Sequence, residues 1–140
     1  MDKKSKEVKI KSETETHNTW EVFGTTFTLE KRYKVIEAVG SGAYGTVVMA
    51  EDLQAKDEDS RMIAIKKIEK AFEHPLFAKR TLRELKILRL LSHENIVNLK
   101  TILKPESKDN FDEIYAVFEC LETDLASIIK SSQELSGEHI

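Results

Sequence analysis

A glycine-rich stretch early in the chain constrains the fold more than any other feature. Residues 39–47 read Val-Gly-Ser-Gly-Ala-Tyr-Gly-Thr-Val, with glycines at Gly40, Gly42 and Gly45. Because glycine has no Cβ, such a backbone can lie directly against a phosphate chain. The same Gly-x-Gly-x-x-Gly spacing occurs in dinucleotide-binding strand-turn-helix units and in turns that bind nothing. The stretch alone leaves these alternatives open.

The residues on both sides of the glycines predict strands. Residues 33–39 before them, Tyr-Lys-Val-Ile-Glu-Ala-Val, also predict a strand, and residues 46–52 begin with β-branched Thr46 and Val47. These residue types favour a strand at the point where a dinucleotide-binding fold requires a helix. The loop is therefore predicted to join two antiparallel strands. A hairpin glycine loop followed by a valine resembles the protein-kinase form of this motif, in which the backbone amides would cover the phosphates of ATP and Val47 would cover the base.

A second pattern follows at residues 62–68, an apolar run too short for a typical helix and therefore predicted to be a third strand. Within it, Ile63-Ala64-Ile65-Lys66 matches a nucleotide-binding signature. In that signature, which is similar to one of the protein kinases, small Ala64 would leave room for adenine and Lys66 would reach the α- and β-phosphates. The alternative is a strand-end lysine that is merely solvated.

Residues 77–91 predict an amphipathic helix, since apolar side chains recur at spacings of three and four. Those side chains are Ala78, Leu82, Leu85, Leu88 and Leu91. Glu84 is the only acid in this basic helix and lies beside the apolar line, where a buried carboxylate needs a partner. Lys66 is one candidate, and Arg80 four residues back is the other. The sequence does not decide between them.

The remaining segments complete a small α+β pattern. Residues 20–24 and 26–29 predict a hairpin on the outside of the main sheet, residues 96–103 a fourth strand and residues 114–118 a fifth. Thr123 and Asp124 are natural caps for a helix over 125–131. A further helix is indicated from Ser136, just before the sequence ends. We therefore expect these 140 residues to be a piece of a longer domain.

Composition excludes several classes of function. A formal charge of −3 gives no reason to expect nucleic acid, and the chain has no apolar run that could cross a membrane or serve as a secretory signal. The single Cys120 fits a reducing compartment, and no metal-ligand cluster is indicated. An intracellular protein of the cytoplasm, with the nucleus as a further location, is expected. Residues 1–18 are highly polar and predict a mobile tail.

Several stretches together resemble one family. They are residues 40–47, residues 80–88 (Arg-Thr-Leu-Arg-Glu-Leu-Lys-Ile-Leu), residues 93–96 (His-Glu-Asn-Ile) and residues 121–125 (Leu-Glu-Thr-Asp-Leu). From about residue 20 onward the sequence resembles the N-terminal lobe of a eukaryotic protein kinase, and more narrowly a mitogen-activated protein (MAP) kinase. The resemblance implies an α+β fold in which a five-stranded antiparallel sheet carries one regulatory helix. It divides the chain into a lobe at 19–118 and, at 119–140, a hinge with the first helices of a truncated helical lobe.

The resemblance also implies roles for individual residues. Lys66 and Glu84 would be the catalytic pair, Leu88 and Leu99 would belong to an apolar stack linking the lobes, and Arg80 and Arg83 would contact a phosphorylated activation loop. For the two arginines a solvated basic face is the equal alternative. Phe118 would stand behind the adenine. The full predicted nucleotide-binding set is Val39, Gly40, Ser41, Gly42, Ala43, Tyr44, Gly45, Val47, Ala64, Lys66, Phe118, Glu119, Leu121, Asp124 and Ser127.

Two departures from the family pattern qualify these expectations. Phenylalanine at position 118 is more like the cyclin-dependent kinases. The His-Arg-Asp, Asp-Phe-Gly and Thr-x-Tyr motifs are not in these residues, so the catalytic base and the Mg²⁺ ligands are expected on the rest of the helical lobe. This stretch should present ATP but be inactive alone.

The expected function is that of a serine/threonine kinase acting on protein substrates and activated by an upstream MAP kinase kinase. The alternative is a truncated or degenerate kinase lobe that serves as a non-catalytic component of a larger assembly. A lobe on its own leaves the underside of its sheet uncovered, and such an apolar patch should drive association.

Overall fold

A computed structural model of the 140-residue chain describes residues 7–105, 107–109 and 111–139. The strands are β1 (Lys9–Glu13), β2 (His17–Val22), β3 (Thr25–Glu30), β4 (Tyr33–Gly42), β5 (Gly45–Asp52), β6 (Met62–Ile68), β7 (Leu99–Ile102) and β8 (Ile114–Glu119). The helices are α1 (Pro75–Leu90) and α2 (Leu125–Lys130), followed by a short 3-10 helix, Gly137–His139.

Five strands form the main sheet in the order β4-β5-β6-β8-β7, and every neighbouring pair is antiparallel. This confirms the predicted five-stranded sheet. The fourth predicted strand is shorter than expected, because β7 comprises only Leu99–Ile102, and its pairing with β8 shifts register between Leu99 and Thr101. The sheet places β6, which carries Lys66, at its centre between β5 and β8.

The first three strands form a separate antiparallel unit, here called the accessory sheet. A tight turn joins β2 to β3 through Phe23 (φ 51°) and Gly24 (φ 79°), the two left-handed positions that a type I′ hairpin requires. The predicted hairpin is thus present. Residues 9–18, predicted as part of a mobile tail, instead form β1 and the start of β2. Composition could not show this, because β1 is held by backbone pairing while all five of its side chains are exposed.

Alternation along the strands divides the main sheet into two faces. One face packs on the accessory sheet, where Trp20 and Phe27 are buried against residues of the main sheet such as Ile63 and Ile65. The other face carries α1, with a second buried cluster that includes Ile68, Leu85 and Ala116. Successive residues of β6 therefore contribute alternately to the two cores.

Helix α1 begins two residues before its predicted start. The His74 ring accepts a hydrogen bond from the Leu76 amide at 3.2 Å, and Pro75 occupies the first turn, where its missing N–H costs nothing. The apolar line predicted for α1 is partly wrong. Thr81 and Leu85 are the buried residues, whereas Leu82 is 65% exposed and Leu91, just past the helix, is 43% exposed. The buried face of α1 is therefore narrower than the spacing of its leucines predicts.

Two short helical segments follow β8. Asp124 caps α2 as predicted, and α2 ends one residue earlier than expected. The helix indicated from Ser136 is a single 3-10 turn, and Ile140 lies outside the described residues. Among the residues that the structure describes, no helix is long and apolar enough to span a membrane.

Candidate functional site

The glycine-rich stretch is the hairpin between β4 and β5, and Gly42 pairs with Gly45 at its tip. Gly45 therefore opens a strand, which excludes the dinucleotide-binding alternative. Its φ is +122°, and a Cβ at this position would come within 2.1 Å of the Lys67 carbonyl oxygen. Ser41 and Thr46 face each other across the hairpin with their hydroxyl oxygens 3.0 Å apart. The base of the loop is thus fixed by close backbone packing onto β6.

At the other two glycines of the loop, the fold itself does not require glycine. A Cβ on Gly40 or Gly42 would meet no atom within 4 Å, and neither glycine has a φ in the left-handed region. The space beside them is open. A ligand lying against the loop would fill this space, and glycine is the residue that allows the closest backbone approach.

Lys66 and Glu84 meet between β6 and α1. The Lys66 ammonium donates a hydrogen bond to Glu84 Oε1 at 3.0 Å, and the two side chains are 20% and 47% exposed. Glu84 was expected to be buried and is instead half exposed, because α1 lies on the sheet through Thr81 and Leu85. The ion pairs of the described residues include none between Glu84 and Arg80, so the partner that the sequence left undecided is Lys66.

A cleft of about 610 Å³ opens beside this pair. Its floor is a row of facing side chains on three adjacent strands, Met49, Ala64 and Phe118, and Val47 pairs with Lys66 in the next row. The predicted residues that line the cleft are Val39, Val47, Ala64, Lys66, Glu84, Phe118, Glu119, Leu121 and Asp124. The fold thus brings together residues that are up to 85 positions apart in the sequence (124 minus 39).

The remaining predicted residues lie elsewhere. Gly40, Ser41, Gly42, Ala43 and Gly45 belong to the hairpin and do not line the cleft, and neither does Ser127. Tyr44 at the tip of the hairpin is 61% exposed and lines an adjoining cavity of about 420 Å³. Lys66 and Glu84 also border this second cavity, as do Arg80 and Arg83. The Lys66–Glu84 pair therefore lies between the apolar cleft and the second cavity, which is lined by two guanidinium groups.

The segment after β8 forms the outer wall of the cleft. The Glu119 amide donates to the Asn98 carbonyl at 3.1 Å, and Glu119 Oε1 accepts from the Asn98 amide at 2.8 Å. Both hydrogen bonds fix Glu119 to the turn that precedes β7. Cys120 is half-buried, and burial, followed by the nearby Glu37 carboxylate, raises the pKa of its thiol.

Asp124 and Ser127 interact with each other at the start of α2. The Ser127 amide donates to Asp124 Oδ1 at 2.9 Å, and the Ser127 hydroxyl donates to Oδ2 at 2.6 Å. These hydrogen bonds, with the hydroxyl bond the larger cause, lower the pKa of Asp124. The carboxylate therefore caps the helix while lying at the rim of the cleft.

Sequence reasoning missed several lining residues. They are Glu37, Ala38, Met49, Val97, Cys120, Glu122 and Thr123. Met49 could have been found from period-two alternation, because it lies two residues after Val47 on the same face of β5. Val97 comes from the turn after α1, and its position depends on tertiary packing that no local pattern records.

The site is suited to a molecule with a flat apolar part and an anionic tail. Aliphatic and aromatic side chains from three strands line one end. Lys66 is the one basic side chain among the cleft-lining residues of the described chain, and it lies at the end nearest the glycine hairpin. A cavity of about 400 Å³ between β3 and the connection from β7 to β8 contains none of the predicted residues.

Comparison with known proteins agrees with this geometry. The protein kinase domain family matches residues 33–140. The chain is 46% identical to "Extracellular signal-regulated kinase 1" of Dictyostelium discoideum over 84% of its length, and 46% identical to "Mitogen-activated protein kinase 5" of Arabidopsis thaliana over 86%. It spans only 22% and 31% of those two relatives. A hairpin glycine loop, a strand lysine paired with a helix glutamate and the family match together show that the chain belongs to the protein kinase family and is similar to MAP kinases.

Proposed function

We propose that this chain is the ATP-binding lobe of a serine/threonine protein kinase similar to the MAP kinases. The observation that carries the proposal is the 3.0 Å contact between Lys66 and Glu84, placed between the glycine hairpin and an apolar cleft in a chain of this family. Completed by a helical lobe, the protein would transfer the γ-phosphate of ATP to serine or threonine hydroxyls of other proteins.

The residues present fit ATP. Val47, Ala64 and Phe118 would enclose the adenine, and the Glu119 carbonyl with the Leu121 backbone would bind its edge. Asp124 would lie near the ribose, and the open backbone at Gly40 and Gly42 would cover the phosphates.

Lys66, held by Glu84, would bind the α- and β-phosphates and offset their charge. Bound ATP supplies the reactive phosphoanhydride. The contribution of this chain is positioning and electrostatic stabilisation, which account for most of catalysis in phosphoryl transfer.

The remaining parts of the proposal concern the rest of the protein. The catalytic base and the Mg²⁺ ligands would lie on the helical lobe. Arg80 and Arg83, which border the cavity beside Tyr44, would bind a phosphorylated activation loop after an upstream MAP kinase kinase has acted. Location in the cytoplasm and nucleus is part of the same proposal, and imaging of a fluorescent fusion would test it.

The direct test is Lys66→Met in the complete protein. Methionine keeps much of the length of the side chain and removes the charge, so thermal unfolding should change little. Phosphoryl transfer to a protein substrate should fall about 100-fold or more, as when an electrostatic donor is removed from an active site. Lys34→Met, an exposed lysine at the start of β4, is the matched control and should retain activity.

Three outcomes are informative. Loss of transfer in Lys66→Met alone supports the proposal. Unchanged turnover in this variant overturns the assignment of Lys66. A wild-type protein that binds ATP in calorimetry but transfers no phosphate would favour the alternative, in which the lobe is a non-catalytic component of an assembly.

A further inference from the structure

Lys67, next to the proposed catalytic lysine, is among the most completely buried side chains of the described residues. The residue is only 1% exposed, although it is a lysine. Its ammonium donates to the Thr26 carbonyl at 2.5 Å and lies 3.0 Å from Glu113 Oε2 and 3.1 Å from Glu69 Oε1. The Thr25 hydroxyl is a further partner at 3.4 Å. A buried charge of this kind is stable only when it is fully paired.

Aromatic rings complete the surroundings of this ammonium. The rings of Phe27 and Tyr115 meet edge to face, and the Lys67 ammonium lies 5.9 Å from the centroid of each. The Tyr115 hydroxyl donates to Glu113 Oε2 at 2.8 Å and accepts from the Thr28 amide at 3.2 Å. Burial, above all, raises the pKa of this phenol further above neutral pH.

The contacts of Lys67 with Thr25 and Thr26 join two sheets that no backbone ladder connects, whereas Glu69 and Glu113 lie at the ends of two paired strands of the main sheet. Thr26 lies in β3 of the accessory sheet, Glu113 directly precedes β8, and Glu69 directly follows β6. The accessory sheet and the main sheet have separate hydrogen-bond ladders. We refer to Lys67 with Thr25, Thr26, Glu69, Glu113 and Tyr115 as the lysine clamp. It is the polar link that fixes β3 against the end of β6.

The lysine clamp acts at the point where β6 supports the nucleotide site. Side chains alternate along a strand, so Lys66 faces the cleft while Lys67 faces the accessory sheet. The Lys67 carbonyl is the group against which Gly45 packs, and Lys67 pairs with Thr46 while Lys66 pairs with Val47. A shift of Lys67 would therefore move both the base of the glycine hairpin and the amine that meets Glu84.

We propose that Lys67 is a positioning residue for the nucleotide site, and that the accessory sheet, through the lysine clamp, holds Lys66 and the glycine hairpin in register for the phosphates of ATP. This inference rests on the proposed function of the cleft. It assigns to residues 25–30 a role in nucleotide binding although none of them lines the cleft.

The test uses the complete protein and three variants. Lys67→Met removes the clamp charge and keeps the apolar stem. Glu113→Gln weakens the clamp while leaving Lys67 in place. Arg32→Met is the matched control, because it removes an ion pair with Asp52 at the opposite end of the β4–β5 hairpin, away from Gly45. For each protein we would measure thermal unfolding, calorimetric binding of ATP with Mg²⁺, the KM for ATP, and amide hydrogen exchange.

The expected result separates positioning from stability. Lys67→Met should raise the Kd and KM for ATP about ten-fold, since small misplacements of an aligned group are costly, and should speed exchange at residues 45–47. Glu113→Gln should change the Kd, the KM and the exchange rate in the same direction by a smaller amount. If Lys67→Met does not fold, the result for Glu113→Gln tests the positioning role. Arg32→Met should lower the unfolding temperature without changing the KM.

Two results would overturn the inference in different ways. If Lys67→Met and Glu113→Gln lower only the unfolding temperature, as Arg32→Met does, the lysine clamp is structural and the proposed function stands. If the wild-type protein binds no ATP, the proposed function fails, and the positioning role fails with it.

Discussion

Gly42 and Gly45 face each other in one hairpin, but their backbones have different requirements. Gly45 has a φ of +122° and lies so close to the Lys67 carbonyl that a side chain has no room. Gly42 has neither restriction, and the space beside it is open. The folded chain itself therefore requires Gly45, whereas the requirement at Gly42 comes from whatever lies against the loop.

This difference can be measured with alanine. Gly45→Ala should lower the free energy of unfolding by about 1–3 kcal/mol or more, because the backbone strain adds to the contact with Lys67. Gly42→Ala should leave stability within about 0.5 kcal/mol of wild type and should weaken ATP binding, because a methyl group would enter the space beside the loop. Urea unfolding and calorimetry distinguish the two. Equal effects of both variants on stability would contradict this account.

The Arg32–Asp52 ion pair makes the stability of the fold depend on pH in the acid range. Two hydrogen bonds, from Arg32 Nε at 2.6 Å and Nη2 at 2.7 Å, hold the Asp52 carboxylate. They are the largest reason that the pKa of Asp52 lies below its ordinary value of 3.8. Between the two pKa values the unfolded chain holds more protons than the folded chain. The pair thus stabilises the fold above about pH 4, and this contribution is lost as pH falls through the lowered pKa.

Arg32→Met should therefore reduce the free energy of unfolding at pH 7 by about 1–2 kcal/mol, a moderate value because the guanidinium is partly exposed. The difference from wild type should shrink as the pH falls below about 4. Urea unfolding at a series of pH values would show this. A difference that is constant from pH 7 to pH 2.5 would mean that Asp52 is not the group involved.

At the scale of elements, the accessory sheet supplies four of the twelve buried residues in the core on its side of the main sheet. Phe27 is fully buried and contacts the Tyr115 ring, whereas Ile10 on β1 is 50% exposed. Phe27→Ala should cost about 3–5 kcal/mol through lost burial and the cavity left behind. Ile10→Ala should cost less than about 1 kcal/mol. A small effect of Phe27→Ala in thermal unfolding would show that the accessory sheet is dispensable for the fold.

Local patterns predicted those elements in which the order of apolar and polar side chains follows their burial. Alternation and β-branching located β4, β5 and β6, and spacings of three and four located α1. Such patterns could not predict β1, whose exposed side chains resemble those of a tail. They also could not show that Leu82 is exposed while Thr81 is buried, because this depends on how α1 is rotated against the sheet.

The site was predictable to the extent that its chemistry lies in short motifs. Ala64 and Lys66 line the cleft together, and Lys66 meets Glu84 18 residues later in the chain. The lysine clamp was not predictable, because Lys67 reads as the second of two strand-end lysines. Its partners come from β3 and from the approach to β8, and only the packed fold brings them together.

At the scale of the whole molecule, apolar side chains on the two helices remain uncovered. Leu82 is 65% exposed, Leu90 81%, Leu125 69% and Ile129 63%. Exposed apolar surface of this kind favours association. The 140-residue chain expressed alone should therefore form oligomers or aggregates in light scattering, and Leu90→Gln with Ile129→Gln should reduce this. A monodisperse monomer at high concentration would contradict the expectation.

The central claim is that Glu84 holds the Lys66 ammonium toward the phosphates of a nucleotide bound in the cleft. The most direct measurement is a crystal structure of the complete protein with Mg²⁺ and a non-hydrolysable ATP analogue. We expect the adenine between Ala64 and Val47, and Lys66 Nζ within hydrogen-bond distance of both Glu84 and an α- or β-phosphate oxygen. A nucleotide bound elsewhere, or a Lys66 side chain turned away from the phosphates, would contradict the claim.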